Sequence, residues 1–345
     1  MDRAYDTLFY AIESGSLAPP GAGQSVLFVN AAPCAGIDFL ASSKLTLQQH
    51  FKPYVDALTA QGYEASADLP ETQGVFDYVF IAAPKSKQET QYLLARGMKL
   101  LRPGGMIICA AANDAGGRQL AGFFEALGLK DIGQESKYKG RVVWGQVPQN
   151  PDEGKIAEWI TAGSPQSILG GRFVSVPGLF AWDKIDKGSE ILTRHMPENL
   201  KGAGADFCCG YGYLASHLLQ HNPAIERLVC IDADARAVAV CKENLAQIIH
   251  PAKKEFLWAD LTKPLSGIGG FDWIVMNPPF HEGKAGDVSI GQACIQTAAK
   301  TLRPGGKLWM VSNAMLAYET VLKSTFKRFN KEFEGQGYKV FVAEK

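Results

Sequence analysis

The sequence predicts an α/β fold built from two tandem copies of one domain, and the main evidence is the similarity of the chain to itself. The stretch "FDYVFIAAPKSK" (76–87) shares with "FDWIVMNPPFHE" (271–282) a Phe-Asp pair, an aromatic residue, an apolar run and a proline at the same place. A helix-like segment follows each stretch, and then a near-identical phrase, "LLRPGGMIICAAAN" in the first half and "TLRPGGKLWMVSN" in the second. Such a repeat predicts a duplicated domain.

Within each copy, the order of segments predicts a doubly wound parallel sheet. An apolar run, an amphipathic helix, an Arg-Pro-Gly-Gly turn and a second apolar run form the βαβ pattern of a sheet covered on both faces. We assign 1–150 to the first copy, 151–171 to a linker rich in Pro, Gly and polar residues, and 172–345 to the second copy. Between 172 and 197 we expect a hairpin that turns at Pro177-Gly178 and a short helix capped by Ser189.

Composition excludes several classes of protein. The chain has 345 residues, 46% of them hydrophobic, which supplies cores for two domains, and its formal net charge is +0. Without a global positive field, any contact with a polyanion must come from local patches. The seven cysteines lack metal-binding spacing and mostly have apolar neighbours, which favours reduced thiols in a cytoplasmic protein. We expect no metal, no secretory signal and no membrane span.

The second copy carries a ligand-binding pattern. An apolar strand runs into "DFCCGYG" (206–212), where Gly210 and Gly212 permit a tight turn and close approach of a ligand. The next strand ends at Asp232, and Asp234 is the better placed cap for the helix that follows, which leaves Asp232 for ribose hydroxyls. This much would also suit an NAD-dependent dehydrogenase, although the loop departs from G-x-G-x-x-G.

The next two strands decide between these classes. One ends near Asp260 and the other runs into Asn277-Pro278-Pro279-Phe280. Acids on three strands, Gly-x-Gly and Asn-Pro-Pro-Phe, in this order, resemble the class I S-adenosylmethionine-dependent methyltransferases that modify an amino group conjugated to a π-system. Together with the internal repeat, the resemblance implies two tandem Rossmann-like methyltransferase domains, with a mostly parallel seven-stranded sheet in the C-terminal copy.

In that family the Asn-Pro-Pro-Phe corner holds the target amine. The resemblance implies that the Asn277 side-chain oxygen and the Pro278 carbonyl each accept one N–H, so that the nitrogen lone pair faces the methyl donor. Prolines restrict the backbone that aims this carbonyl, and Phe280 offers a face on which a planar base stacks. We assign His281 to shaping the substrate site ahead of catalysis.

Further resemblance narrows the substrate. The corner with His281, "FAWDKIDKGSEIL" (180–192), "SNAMLAYETVL" (312–322) and the duplication are similar to the bacterial ribosomal RNA guanine-N2 methyltransferases, and most to the small subunit methyltransferase C type. That likeness implies that the first copy is degenerate and serves RNA recognition, since Ala82 stands where Asn277 stands. The basic residues that we expect to contact RNA there are Lys85, Lys87, Lys137, Lys139 and Arg141.

The resemblance also implies the cofactor site. Around S-adenosylmethionine we expect Ser189, Asp206, Cys208, Gly210, Gly212, Asp232, Asp260 and Asn277. The expected partner is ribosomal RNA or the 30S subunit. Alternatives that stay open are the large-subunit guanine-N2 enzyme, a protein-glutamine N5 or DNA adenine-N6 methyltransferase, and a non-catalytic assembly factor.

Overall fold

A computed structural model describes residues 3–279 and 285–345, and the chain in it divides into two compact units. The first comprises 1–166 with 176–178, and the second comprises 167–175 with 179–345. Each unit has its own hydrophobic layers on both faces of a sheet. In the described part of the chain, no helix is both long and apolar enough to span a bilayer.

The first unit starts with two short helices that lie over its sheet. Its strands are β1 (Ser25–Val29), β2 (Lys44–Gln48), β3 (Ala65–Ser66), β4 (Phe76–Ala82), β5 (Leu101–Ala112), β6 (Ile132–Lys137) and β7 (Gly140–Gln146). Its helices are α1 (Arg3–Leu8), α2 (Tyr10–Glu13), α3 (Lys52–Thr59), α4 (Lys87–Leu100), α5 (Leu120–Ala126) and α6 (Glu153–Gly163).

The second unit repeats this plan. Its strands are β8 (Gln166–Ile168), β9 (Phe173–Ser175), β10 (Gly202–Phe207), β11 (Ile225–Asp232), β12 (Lys253–Trp258), β13 (Phe271–Met276), β14 (Leu302–Asn313), β15 (Arg328–Gly335) and β16 (Tyr338–Glu344). Its helices are α7 (Lys187–Thr193), α8 (Tyr213–His221), α9 (Ala235–Ala246), α10 (Ala285–Thr301) and α11 (Glu319–Thr325).

The two large sheets have the same topology, which confirms the predicted fold and duplication. The first has the order β3-β2-β1-β4-β5-β7-β6 and the second β12-β11-β10-β13-β14-β16-β15. In each, six strands run in the same direction, and one, β7 in the first sheet and β16 in the second, runs antiparallel to both of its neighbours. The chain reverses its direction of winding at β1 and β10, so a topological switch point lies between β10 and β13, where such sheets bind ligands.

Strand register pairs the copies residue by residue. Val29 lies beside Ile81 in the first sheet as Phe207 lies beside Met276 in the second. The residues one step further along β4 and β13 are Ala82 and Asn277, so the two positions are equivalent. The sheet itself therefore supports the inference that the first copy lacks the amide.

The repeated phrases hold the sheets together. Arg102 of the first Arg-Pro-Gly-Gly pairs with Asp77, and Arg303 of the second pairs with Asp272. Each aspartate also accepts a backbone N–H from the start of the central strand, from Ser25 in the first sheet and from Ala203 in the second, both at 2.7 Å. The repeated segments thus have a structural role, and their repetition reflects the fold that the two copies share.

Three local predictions were wrong. Residues 151–171 are not a linker throughout, because α6 lies at 153–163 and buries Ile156 and Trp159 in the first core. The short hairpin pairs β8 with β9, so it turns before Pro177. The cap of α7 is Asp186, whose carboxylate accepts the Ser189 N–H at 2.8 Å. Apolar residues spaced along a helix outweighed the Pro and Gly composition in the first case.

Candidate active site

The polar residues singled out in the second copy gather at one edge of its sheet. Asp206, Asp232 and Asn277 lie at or directly after the carboxyl ends of β10, β11 and β13, which are neighbouring strands. Helix α7 packs against β14 and β16 and brings Asp186 and Ser189 to the same edge. The sheet therefore assembles residues that are up to 91 positions apart in sequence.

The loop after β10 has a backbone that favours glycine. Cys208, Gly210 and Gly212 all have positive φ, at 60°, 53° and 90°, and a non-glycine residue in this region is strained. A Cβ on Gly212 would meet the Cys241 sulfur at 2.9 Å, whereas one on Gly210 would meet nothing within 4 Å. Gly212 thus permits close packing on α9, while Gly210 borders open space that a ligand can enter.

Asp206 is a buried carboxyl with one uncommitted oxygen. One oxygen accepts the Ala215 N–H in the first turn of α8 at 3.0 Å, and the other is buried without a partner among the described residues. Burial raises the pKa of Asp206 to about 8, and the negative charge of Asp232 adds to the rise. Such a carboxyl is arranged to meet a cationic or hydrogen-donating ligand group.

We expect Asp206→Asn to stabilise the ligand-free protein and to weaken cofactor binding. The folded-state pKa lies above the ordinary value of 3.8, so the wild-type carboxyl loses stability as the pH rises from about 4 to about 8. Asparagine keeps an acceptor for the Ala215 N–H and never ionises. The melting temperature of the variant should exceed that of wild type at pH 9, and the difference should shrink as the pH falls toward about 4.

Calorimetric titration with the cofactor supplies the second half of this test. Loss of the carboxylate should weaken binding of a cationic ligand, and Asp234→Asn, at the cap of α9, should leave that affinity nearly unchanged. A variant that melts below wild type at pH 9, or binds the cofactor equally well, would contradict the role given to Asp206.

Asp232 shapes the loop after β10. Its two oxygens accept the N–H groups of Gly210 at 2.9 Å and Asp234 at 3.0 Å. Burial raises the pKa of Asp232 to about 6, against the lowering effect of these hydrogen bonds. Asp234 caps α9 by accepting the Arg236 N–H, as predicted. Since an ionised carboxylate offers about four lone pairs, Asp232 keeps capacity for ligand hydroxyls.

Asp260 follows β12 and is 6% exposed. One oxygen accepts the N–H and the hydroxyl of Thr262, at 2.9 and 2.6 Å, and the other lies 3.6 Å from the Lys263 ammonium. The side chain therefore closes its own loop at the edge where the adenine end of a cofactor is expected. Strand β12 ends two residues earlier than predicted.

Asn277 is held by its amide nitrogen. The nitrogen donates to an Asp186 oxygen and to the Ser189 hydroxyl oxygen, both at 2.8 Å. Its side-chain oxygen is buried without a partner among the described residues. Pro278 is buried and Pro279 is exposed. The arrangement therefore presents one unused acceptor at the end of β13.

Two predicted residues, Phe280 and His281, lie outside the described residues. Cys208 is half-buried, and a hydrogen bond with Cys294 together with burial raises its pKa well above the ordinary value of 9.0. This thiol stays protonated at neutral pH. In the described ranges, no group of three or more His, Cys, Asp or Glu is arranged to hold a metal ion.

Two residues at this site escaped the sequence analysis. Asp186 was overlooked because Ser189 looked like the helix cap. Asn244 is buried within α9, accepts the Val174 N–H at 2.7 Å and donates to the Tyr211 carbonyl at 2.8 Å. Asn244 thus holds in place the glycine loop, the residues 208–212 that follow β10. The sequence feature that could have revealed Asn244 is its helical spacing from Ala237 and Val240, which makes it a polar residue on the buried face of α9.

The equivalent positions in the first copy are closed by the protein itself. By register, Phe28 stands at the position of Asp206, and its ring packs edge-on against Phe9 at 5.7 Å. Gln49 stands at the position of Asp232. Its amide nitrogen donates to the Ala31 carbonyl at 2.7 Å, and its amide oxygen accepts the Phe51 N–H at 2.8 Å. A cationic ligand would find no carboxylate at either position.

The basic residues of the first copy lie at the carboxyl edge of its sheet. Lys85 and Lys87 are exposed, follow β4 and line a cavity of about 130 Å³. The second group surrounds the β6–β7 hairpin, where Tyr138 and Lys139 occupy a tight turn with φ of 52° and 60°. In this group Lys137 lies 5.5 Å from the centre of the Tyr10 ring.

The fold and the site together define a class I methyltransferase that takes S-adenosylmethionine. A "Methyltransferase small domain" model matches 170–342, and a "Methyltransferase small domain N-terminal" model matches 23–162. The chain belongs to the ribosomal RNA small subunit methyltransferase C family. Curated relatives of that name include one from Shewanella loihica, 33% identical over 285 residues (80% of this chain, 79% of the relative). Another, from Shewanella sediminis, is 27% identical over 340 residues (93% and 94%).

A solved structure agrees with this assignment. The T. thermophilus 16S rRNA N2 G1207 methyltransferase, in complex with AdoMet and guanosine, superposes with a TM-score of 0.81. It is 26% identical, and the match covers 99% of this chain and 93% of that one. Both copies of the domain therefore belong to the shared architecture.

The residues of this chain suit the cofactor. S-adenosylmethionine carries an ammonium group, a sulfonium, ribose hydroxyls and an exocyclic adenine amine. The buried Asp206 oxygen has no partner among the residues that the structure describes, and a side chain on Gly210 would meet open space. Together they offer a ligand an acceptor and room to approach, with further carboxylates at Asp232 and Asp260. The donor set thus matches a ligand that is cationic at one end and hydrogen-donating along its length.

Proposed function

We propose that this protein methylates the exocyclic N2 amine of a guanine in 16S ribosomal RNA of the 30S subunit. The observation that carries the proposal is the side-chain oxygen of Asn277. It is buried and without a partner among the described residues, and it lies at the switch point beside the carboxylates of β10 and β11. An acceptor in this position suits an amine that arrives with two N–H groups.

Guanine N2 is a weak nucleophile because its lone pair is delocalised into the ring. Catalysis therefore depends on orientation. Asn277 Oδ1 and the Pro278 carbonyl each accept one N–H and turn the lone pair toward the methyl donor. As the new N–C bond forms, the nitrogen becomes positive and both hydrogen bonds strengthen. S-adenosylmethionine would supply the methyl group: the bond from that carbon to the sulfonium sulfur breaks, and its electron pair stays on sulfur as a neutral thioether. The proton on the methylated nitrogen then leaves to water.

Different residues of the pocket bind different parts of the cofactor. We assign Asp206, Gly210 and Gly212, with Cys208 beside them, to the methionine portion, Asp232 to the ribose hydroxyls and Asp260 to the adenine amine. Ser189 borders the methionine end through its contact with Asn277. Phe280 supplies the stacking face, and His281 shapes the substrate side.

The choice of RNA follows from the relatives. Those named above are small subunit methyltransferases, and the solved structure contains guanosine and is a 16S rRNA N2 enzyme. A guanine within folded RNA must leave its stack to reach the pocket. The ribosomal substrate implies a cytoplasmic enzyme. Large-subunit, protein and DNA targets become outcomes of the test below.

The first copy serves RNA recognition. Phe28, Gln49 and Ala82 leave it without the carboxylates and the amide that the second copy uses. Its exposed lysines meet phosphates from two positions on one sheet edge, after β4 and at the β6–β7 hairpin. Lys85, Lys87, Lys137, Lys139 and Arg141 make up this basic edge.

We expect Lys87→Ala to weaken 30S binding uniformly and to lower its dependence on salt. Each lost phosphate contact should reduce the slope of log K against log salt by roughly 0.7–0.9. Filter binding between 50 and 200 mM salt, roughly the range in which such slopes are resolved, measures this. Lys155→Ala is the matched control, because Lys155 pairs with Glu158 on α6. Equal slopes for both variants would remove Lys87 from the RNA contact.

The proposed function is tested with labelled cofactor and a panel of acceptors. Wild-type protein is incubated separately with 30S particles, 50S particles, naked 16S rRNA, DNA and release factor. Label in 30S particles or 16S rRNA supports the proposal. Label confined to 50S particles, DNA or release factor would assign the enzyme to one of the alternative substrates, and no label at all would favour an assembly factor.

A further inference from the structure

We propose that Asp186 is a positioning residue, one that sets the direction of the Asn277 amide and thereby selects asparagine over aspartate at that position. The inference rests on the proposed function and deepens it. Asp186 lies in the turn before α7, far from β13 in sequence, and neither its role as a cap nor its contact with Asn277 is evident from the repeated motifs. Its contacts carry the argument.

An asparagine amide is nearly symmetrical in shape, so its direction depends on its partners. An ionised carboxylate only accepts hydrogen bonds. Because Asp186 lies 2.8 Å from the Asn277 nitrogen, the amide must present N–H to it and Oδ1 to the opposite side. The Ser189 oxygen, also 2.8 Å from that nitrogen, accepts the second N–H. Both donors are therefore occupied, and the acceptor is left for the substrate.

The contact also has an electronic effect. Hydrogen bonds from a group to an anion polarise that group and strengthen the bonds it makes elsewhere. Asp186 therefore makes the Asn277 oxygen a better acceptor. When the substrate nitrogen becomes positive, the negative charge lies on the far side of the amide and favours the transition state. The benefit should appear in kcat more than in KM.

One Asp186 oxygen performs two tasks. It accepts the Ser189 N–H at 2.8 Å as the cap of α7, and it accepts the Asn277 N–H. The cap fixes the carboxylate, so its position beside Asn277 is set by the start of a helix. Asparagine at this position keeps the capping ability, because Asn and Asp cap helices about equally well. This equivalence allows the two tasks to be separated by mutation.

A reciprocal exchange tests the proposal. Asn277→Asp places a second carboxylate against Asp186, and we expect kcat to fall by roughly 100-fold or more. Asp186→Asn removes the charge but keeps the cap, and kcat should fall by about tenfold, since charge-assisted hydrogen bonds are about twice as strong as neutral ones. In the double variant, the amide introduced by Asp186→Asn can donate to the carboxylate introduced by Asn277→Asp. The double variant should recover at least about tenfold over Asn277→Asp alone, a coupling that non-interacting sites would not show.

Two further measurements separate positioning from folding. Melting temperature and calorimetric cofactor affinity should stay close to wild type in Asp186→Asn. In spectra of protein labelled with ¹⁵N-asparagine, the Asn277 side-chain signal is identified by its absence from Asn277→Asp. It should move upfield in Asp186→Asn as the anionic partner is lost.

The outcomes are distinct. Recovery in the double variant together with the shifted amide signal supports the proposal. A double variant no more active than Asn277→Asp, or an Asn277 signal that Asp186→Asn leaves in place, would overturn it. A wild-type protein that methylates no ribosomal substrate would refute the proposed function, while the amide signal would still report whether Asp186 holds Asn277.

Discussion

Replacing Asn277 with alanine is expected to abolish most methyl transfer while cofactor binding persists. The side chain supplies an acceptor to the amine through its oxygen, which is buried and has no other partner in the described chain. Loss of one such preorganised group in a buried site lowers kcat by roughly 100- to 1,000-fold. Single-turnover transfer to 30S particles measures the rate, and calorimetry measures the affinity for cofactor.

The matched control for this change is Asn330→Ala, at an exposed asparagine on the edge strand β15. It should retain wild-type turnover and a similar melting temperature. If Asn277→Ala turned over at the rate of this control, the amide would have no part in the reaction, and the corner after β13 would be a structural turn. If cofactor affinity fell in parallel with rate, Asn277 would belong to the cofactor pocket instead.

Replacing Asp232 with alanine should remove cofactor binding at working concentrations. The carboxylate holds the Gly210 N–H at 2.9 Å, and the proposal gives it two ribose hydroxyls as well. Hydrogen bonds to charged groups contribute about 1.5–3 kcal/mol each, so two of them correspond to a loss of affinity of roughly 100-fold or more. Calorimetric titration with S-adenosylmethionine measures the change.

Asp234→Ala separates this effect from damage to the fold. Asp234 lies two residues further on and caps α9 by accepting the Arg236 N–H at 2.9 Å. Its loss should lower stability by about 1 kcal/mol, as for other helix caps, and change cofactor affinity little. If the two variants bound cofactor equally well, Asp232 would be only a structural support for the glycine loop.

Much of the fold could be predicted because the chain carries its plan twice. The pairs Phe76-Asp77 and Phe271-Asp272, with their Arg-Pro-Gly-Gly partners, recur for a structural reason. In each copy, the arginine of the second phrase binds the aspartate of the first. What escaped prediction was local. The polar composition around α6 concealed Ile156 and Trp159, which pack in the first core, since composition averages over residues that a helix segregates to opposite faces.

The site was predictable to the extent that its residues end strands. Asp206, Asp232 and Asn277 each lie at the carboxyl end of an apolar run, a position that can be recognised from the sequence alone. Asp186 lies on a connection whose place over the sheet depends on packing between α7 and β14. No spacing in the sequence relates it to Asn277, which is 91 residues away.

The duplication also separates structural from functional residues. Ala82 and Asn277 occupy equivalent positions at the ends of β4 and β13. A proline follows Asn277 directly and follows Ala82 one residue later. The fold therefore requires the strand and the turn, and methyl transfer requires the amide. The same comparison sets Phe28 against Asp206 and Gln49 against Asp232. In each pair, the side chain in the first copy makes contacts within the protein at a position where the second copy has a carboxylate for a ligand.

The central claim is that the second copy transfers a methyl group to guanine N2 in small-subunit RNA. The most direct measurement is nuclease digestion and mass spectrometry of 16S rRNA after wild-type protein has modified unmethylated 30S particles. We predict N2-methylguanosine at one position, and its absence when Asn277→Ala is used. A methyl group on another base, on a ring nitrogen or on ribose, or an unmodified 16S rRNA, would contradict the account.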